Sequence, residues 1–363
     1  IHVSNYYYIE SRGEVAKLIS DMLNTCVPKF FRAPWPVFFA NSGAEANECA
    51  IKLARLYSKR YGSGGQTIIT MDGSFHGRTL TTLAATAQPA KQEAFAPLPD
   101  GFIHVPMNDM NAVHQAFYNN IQDVCAVMLE CVQGESGVHP WDPDTLFEVA
   151  RFCHKNGILL IVDEVQSGFY RCGEFPFSFQ NMGITPDIIT MAKGIASGFP
   201  MGACAARIEV AEAFEPGDHG STFGGSNATL ATLTHGHFDE DVQELGEYFS
   251  AGLGEIDGIT EVRGLGLMIG ADLEEGIDAN LVVAKGLEDG FLLNATGPQT
   301  LRFLPPLIVT RKEIDQLLKA LPGMIAAVRD GWKPAEDEEE QDEASAESSE
   351  ASATEEVAVE DAE

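Results

Sequence analysis

Lys193 stands in "DIITMAKGIASGFPMGA" (187–203), where every other residue after Asp187 is apolar, small or uncharged. Lysine is rarely buried. An amine held among apolar groups has its charged form disfavoured, which leaves free amine to attack a carbonyl. Ala192, Gly194, Ala196, Ser197 and Gly198 are small enough to leave room beside it for a planar group. "ILLIVDEVQSGFYRCGEF" carries a hydrophobic run into Asp163 and Glu164, and a carboxylate at a buried strand end needs a cationic or donor partner. "MDGSFHGRTL" places an aromatic plane (Phe75), an imidazole (His76), a flexible Gly77 and a guanidinium (Arg78) in succession. The planar fork of an arginine suits a carboxylate. In "FFANSGAEANECAIKLAR", Ser42 and Glu45 are spaced as a capping box, so Ser42, Gly43 and Ala44 open a helix whose unpaired N–H groups suit a phosphate.

Each stretch also has a plain structural reading: a snorkelling lysine, a buried salt bridge, a polar loop, an ordinary helix start. A metal at Asp163 is disfavoured, because no nearby His or Cys has ligand spacing. Asp72, Glu130 and Glu135 are too scattered for two-metal chemistry. Taken together, the four stretches meet the needs of pyridoxal 5'-phosphate. Its aldehyde condenses with an amine, an acid holds its ring nitrogen protonated, and its ring and phosphate each need a seat.

The elements that must position these residues alternate. "TIIT" (67–70), "AVMLE" (126–130), "ILLIVDE" (158–164) and "DIITMA" (187–192) read as buried strands. Between them, 45–62 and 144–157 carry helical periodicity, the latter closed by Gly157. This order predicts an α/β fold with a mostly parallel sheet flanked by helices, and ligands gather at the carboxyl ends of such strands. Beyond residue 228 an amphipathic helix, a glycine-broken strand pair, a helix at 278–289 and a strand leading into a closing helix predict a smaller α+β domain. The expected division is 1–227 for the large cofactor-binding domain, 228–331 for the small carboxy-terminal domain and 332–363 for an acidic tail.

The chain has 363 residues and a formal net charge of −31. The stretch Glu336–Glu363 holds 14 acidic residues, and no Lys or Arg follows Lys333. That composition predicts a disordered, solvated tail, and the overall acidity argues against nucleic acid as a partner. No run reaches the length of a membrane span, and the first residues show no secretory signal. Seven cysteines without a CxxC pair fit buried thiols in a reducing cytoplasm. The chain starts without Met, which predicts that it begins inside a longer product.

The sequence resembles the class III pyridoxal-phosphate aminotransferases through "NSGAEANE", "SFHGRTL", "QGESGVHP", "LLIVDEVQSGFYRCGEF", "PDIITMAKGIASGFPMGA", "HGSTFGG", "RGLGLMIG" and "LRFLPPLIVT". The resemblance covers residues 1 to 331 and implies fold type I and a cytoplasmic homodimer with shared active sites. It implies that Lys193 binds the cofactor and shuttles the proton, Asp163 partners the ring nitrogen, Gln166 contacts the phenolic oxygen, and Glu164 belongs to the same cofactor-binding strand end. Val165 and Phe75 would bracket the ring. Gly43 and Ala44 would hold the phosphate, with Thr222 completing that site from the other subunit and Ser221 reaching the substrate. Arg78 would grip an α-carboxylate, and Arg302, paired with Glu130 when no diacid is bound, a second carboxylate.

The implied reaction moves the terminal amine of N2-acetyl-L-ornithine to 2-oxoglutarate, a step of arginine synthesis. The alternatives are another ω-amine donor (succinyldiaminopimelate, ornithine or 4-aminobutyrate) or an inactive, truncated family member. The sequence departs from the family in three ways, of which the first two motivate that last reading. The family's amino-terminal segment is expected to be missing before "HVSNYYYIE". The stretch after "FGG" is shorter than usual, with "SN" for "NP", and Cys131 stands in place of a proline.

Overall fold

The computed structural model describes residues 8–196, 198–225 and 239–334. The acidic stretch from 335 onwards and the stretch at 226–238, expected to be shorter than usual, lie outside the described residues. Strands β1 (Val37–Ala40), β2 (Thr67–Met71), β3 (Phe102–Val105), β4 (Val124–Leu129), β7 (Leu159–Asp163), β8 (Ile188–Met191) and β9 (Gly202–Ala206) form one sheet. Its order is β1-β9-β8-β7-β4-β2-β3. Every pairing from β8 to β3 is parallel, and β9 runs antiparallel to both its neighbours. Strands β2, β4, β7, β8 and β9 are buried throughout. Covered on both faces, they need continuous apolar runs rather than alternation, and this made them legible in sequence.

The helix Gly43–Tyr61 packs on β8 and β9. Ser42 caps it by accepting from the Glu45 N–H, and its buried stripe includes Ala46, Cys49, Ala50, Leu53 and Ala54. The helix Pro143–Asn156 is capped by Asp142 and closed by Gly157 in the left-handed region at φ +66°, where a residue without Cβ is unstrained.

A short hairpin, β5 (Val132–Gln133) with β6 (His139–Pro140), follows β4. A second sheet, β10 (Ile259–Leu265), β11 (Met268–Leu273) and β12 (Thr300–Phe303), is antiparallel. The helices Asp239–Gly254, Ala279–Glu288 and Arg311–Arg329 accompany it. Its own core includes Phe249, Leu253, Ile269, Leu301 and Ile325. This is the α/β class with a smaller α+β unit that the sequence predicts. Three arginines tie this second sheet to segments that follow strands of the large one. Arg171 donates to the carbonyls of Leu267 and Pro305 at 3.2 and 2.6 Å. Arg263 donates to Gly137 and grips Asp272 with both terminal nitrogens, and Arg302 donates to Gly134.

Candidate active site

Five parallel strands, β1, β2, β4, β7 and β8, end on one side of the large sheet. The segments that leave them line a pocket of about 490 Å³. Asn41 to Ala44 follow β1, Phe75 to Arg78 follow β2, Glu130 and Glu135 follow β4, Asp163 ends β7 with Val165 and Gln166 just beyond it, and Lys193 follows β8. Strand order therefore converts residues far apart in sequence into one wall.

The helix start at Gly43 is held by close backbone packing. A Cβ on Gly43 would lie 2.7 Å from Val165 Cγ1, and one on Gly202 would lie 2.2 Å from the Ser42 carbonyl oxygen. The Glu45 carboxylate reaches back to accept from the Asn41 N–H at 2.7 Å and its amide at 2.8 Å. Gly43 and Ala44, in the first turn, have no intrahelical carbonyl for their N–H groups, so the pocket gains anion donors at this edge.

Asp163 is buried in a shell of donors. Oδ2 accepts from His76 Nδ1 and Asn47 Nδ2, both at 2.8 Å, and Oδ1 accepts from the Val165 N–H at 3.0 Å. Burial works against a charged His76, but its hydrogen bond and charge interaction with Asp163, helped by Glu130, outweigh that and raise its pKa. Glu130, also buried, accepts from the Phe75 N–H at 3.0 Å. Burial first, and then the Asp163 charge, push its pKa up to about 7, against opposition from His76 and Lys193.

Lys193 has φ +47°, a left-handed conformation for a residue with a side chain, and such strain persists only where the surroundings impose it. The side chain opens to the pocket, and the protein around it lowers its pKa by desolvation, against the pull of Glu135, Asp163 and Glu130. Among the described residues no hydrogen bond or ion pair holds its Nζ. Across the pocket, Arg302 pairs with Glu135 at 2.9 Å and also donates to Asn294 and Gly134. Glu135 in turn accepts from Gln166 Nε2 at 3.4 Å. Burial disfavours the Glu135 charge, yet Arg302, with help from Lys193 and Gln166, holds its pKa below the usual carboxylate value.

Of the residues singled out in sequence, the structure brings Gly43, Ala44, Phe75, Arg78, Glu130, Asp163, Val165, Gln166 and Lys193 to one pocket. Two expectations need correction. The partner of Arg302 is Glu135 rather than Glu130. The Glu130 carboxylate is drawn into the buried turn at Phe75, while Glu135 sits on the hairpin facing β12. Glu164 does not face the pocket, because side chains alternate along a strand. Its carboxylate turns to the opposite side and accepts from Ser167, Ser178 and the Phe179 N–H. Arg302 adjoins the pocket through Glu135. Thr222 is exposed and Ser221 half-buried, its hydroxyl 3.1 Å from Asn41 Nδ2. Neither lines the pocket of its own chain. Sequence reasoning missed Asn47 and the role of Glu135. The one signal was Asn47 at helical spacing from Gly43, which would place it on the same face one turn on.

This donor set fits pyridoxal phosphate. An unpartnered amine, a buried carboxylate with a fixed orientation, the Phe75 ring, the Val165 side chain and a helix start with spare N–H groups line a volume suited to a small ligand. The Gln166 Oε1 atom is buried without a hydrogen-bond partner, an orphan that suits a site completed by a bound group.

The profile of the family described as "Aminotransferase class-III" matches residues 1–325. The chain is 44% identical over 341 residues to the acetylornithine aminotransferase of Caldanaerobacter subterraneus subsp. tengcongensis, covering 91% of this chain and 83% of that protein. It is 46% identical to the acetylornithine aminotransferase of Methanocaldococcus jannaschii, covering 91% and 82%. Among solved structures, the ornithine aminotransferase of Toxoplasma gondii superposes with a TM-score of 0.81 at 27% identity, covering 91% of this chain and 80% of that one. The N-acetylornithine aminotransferase of Stenotrophomonas maltophilia gives 0.74 at 31% identity, covering 91% and 83%.

Proposed function

We propose, from the premise that the chain belongs to the class III aminotransferases, pyridoxal-phosphate enzymes of fold type I, that it transfers the terminal amine of N2-acetyl-L-ornithine to 2-oxoglutarate. The products are N-acetyl-L-glutamate 5-semialdehyde and L-glutamate. The observation that carries this reading is the state of the two arginines beside Lys193. Arg302 is already neutralised by Glu135. Arg78 has only the face of Phe75, 5.7 Å from its guanidinium carbon, and no ion pair among the described residues. A free guanidinium suits the single carboxylate of the donor, and a covered one suits the second carboxylate of a diacid that displaces Glu135. The relatives named above support the donor's identity.

Bound pyridoxal phosphate supplies the electron sink that lets a proton leave the carbon carrying the amine. The chain's residues do the rest. Lys193 takes that proton and returns it. Asp163 holds the ring nitrogen protonated. With the cofactor bound, Gln166 would serve the phenolic oxygen, Phe75 and Val165 would bracket the ring, and Gly43 and Ala44 would hold the phosphate. The reading includes a cytoplasmic homodimer in which Thr222 completes the partner's phosphate site and Ser221 reaches its substrate. It also divides the chain at residue 227, with the small domain ending at 331.

Two measurements test it. The purified chain with pyridoxal phosphate should show a visible band that borohydride fixes to Lys193. Lys193→Ala should lack that band and lose at least about 10³-fold in kcat. In a donor screen, kcat/KM for N-acetylornithine should exceed that for ornithine, succinyldiaminopimelate and 4-aminobutyrate by about tenfold or more. A reversed ranking sinks the donor assignment.

A further inference from the structure

We infer that Asn47 is a positioning residue, whose amide locks the Asp163 carboxylate to the helix that begins with the anion cradle. The inference rests on the pyridoxal-phosphate reading of the pocket. Asn47 is buried on the helix Gly43–Tyr61, one turn past Gly43. Its Nδ2 makes two hydrogen bonds, to the His76 carbonyl at 2.7 Å and to Asp163 Oδ2 at 2.8 Å. The amide has one sensible orientation, because a flipped one would set Oδ1 against two acceptors.

Three elements meet at this amide: the helix after β1, the loop after β2 and the end of β7. With His76 Nδ1 and Asn47 Nδ2 on Oδ2 and the Val165 N–H on Oδ1, the carboxylate has no free rotation. The charged and titratable groups that face it are His76, Glu130 and Lys193, the last drawn also towards Glu135.

The cluster is not one that stability alone would select. Asn47 Oδ1 and His76 Nε2 are buried with no partner, and an unsatisfied buried polar atom is destabilising. An apolar side chain of the same size would remove the orphaned Oδ1 but leave the His76 carbonyl without this donor. What the amide supplies is a shared reference. The phosphate seat at Gly43 and Ala44 and the ring-nitrogen partner at Asp163 belong to different elements, and Asn47 fixes their separation. Asn47 thus acts on the ring through Asp163.

Two variants test this. Asn47→Leu keeps the volume and removes the donor. Asn47→Asp keeps the shape, repels Asp163 when ionised and can donate to it when protonated. Cofactor affinity is read by titrating the cofactor-free protein, and kcat and KM are read with N-acetylornithine. Asn47→Leu should raise the cofactor Kd about tenfold and lower kcat by about tenfold or more, with donor KM within about threefold, while the loss of a donor to the His76 carbonyl lowers the cofactor-free melting temperature. Asn47→Asp should lose more cofactor affinity at about pH 8 and recover part of it near pH 5.5, relative to the parent at each pH, as the introduced carboxyl takes up a proton.

This pH-dependent recovery is something a purely structural role would not produce, and it keeps the test decisive if Asn47→Leu folds poorly. Kd and kcat within about twofold of the parent for a folded Asn47→Leu overturn the inference, as does an Asn47→Asp deficit that ignores pH. Should the parent itself show no Lys193-dependent band, the functional reading falls and this inference with it.

Discussion

Glu130 and Glu135 are two carboxylates of one pocket in opposite circumstances. Burial, reinforced by Asp163, raises Glu130 to about 7, while Arg302 outweighs burial and keeps Glu135 charged. A carboxyl whose pKa is higher in the folded chain binds more protons there than when unfolded. Stability is therefore fully retained below the unfolded value near 4.5 and declines as pH rises towards 7. Glu130→Gln should flatten that decline in the cofactor-free protein by roughly 1–3 kcal/mol, read from melting temperatures across the window. Unchanged slopes would show that Glu130 is not the titrating group. Glu135 has the reverse sign, and its ion pair is lost only as pH falls through its depressed pKa. In Glu135→Gln, Arg302 has no resident carboxylate, so KM for 2-oxoglutarate should fall about threefold to tenfold while KM for N-acetylornithine moves little. Steady-state kinetics with each substrate varied in turn decide it. The sequence could not rank these two glutamates, since both follow β4 and only the path of the chain turns one inward and sends the other to Arg302.

The helix Gly43–Tyr61 meets the segment leaving β7 where Gly43 packs against Val165, and this contact fixes the helix start against that segment. Gly43→Ala would place a methyl within 2.7 Å of Val165 Cγ1. It should destabilise the chain by about 1–3 kcal/mol and weaken phosphate binding. Val165→Ala on the same chain opens room, so the double variant should regain part of the lost stability, a coupling that a double-mutant cycle on melting temperatures measures. Additive losses would mean that the helix start yields rather than clashes. Elements of this kind were largely legible beforehand. The runs at 67–70, 126–130, 158–164 and 187–192 fall on β2, β4, β7 and β8, and the helices expected at 45–62 and 144–157 begin one or two residues earlier than periodicity placed them. Caps account for the offset, because Ser42 and Asp142 cap from just outside the apolar stripe. Glu164 was misplaced for a related reason. Composition marks a strand end as acidic, but side-chain alternation decides which of two adjacent carboxylates faces the pocket.

At the scale of the whole molecule, the pocket depends on the small sheet keeping its station against the large one. Arg171 is central to that joint, donating to carbonyls on both sides of the β11–β12 region. Arg171→Met should cost about 1.5–3 kcal/mol through two carbonyls left without a donor. KM for 2-oxoglutarate should rise, because β12 carries Arg302. A variant with lowered melting temperature and parental KM would show that the joint is structural alone. By itself the sequence determined which chemistry was on offer. Lys193, Asp163, Phe75 and Gly43 each follow an element whose pattern is local, written in apolar runs, caps and small residues, so their placement at strand ends could be read without a structure. Tertiary structure alone decided the pairings. That Asn47 binds Asp163, that Glu135 rather than Glu130 covers Arg302, and that Glu164 turns away all follow from strand order, side-chain alternation and hairpin path. Those are long-range consequences of packing that no local pattern encodes.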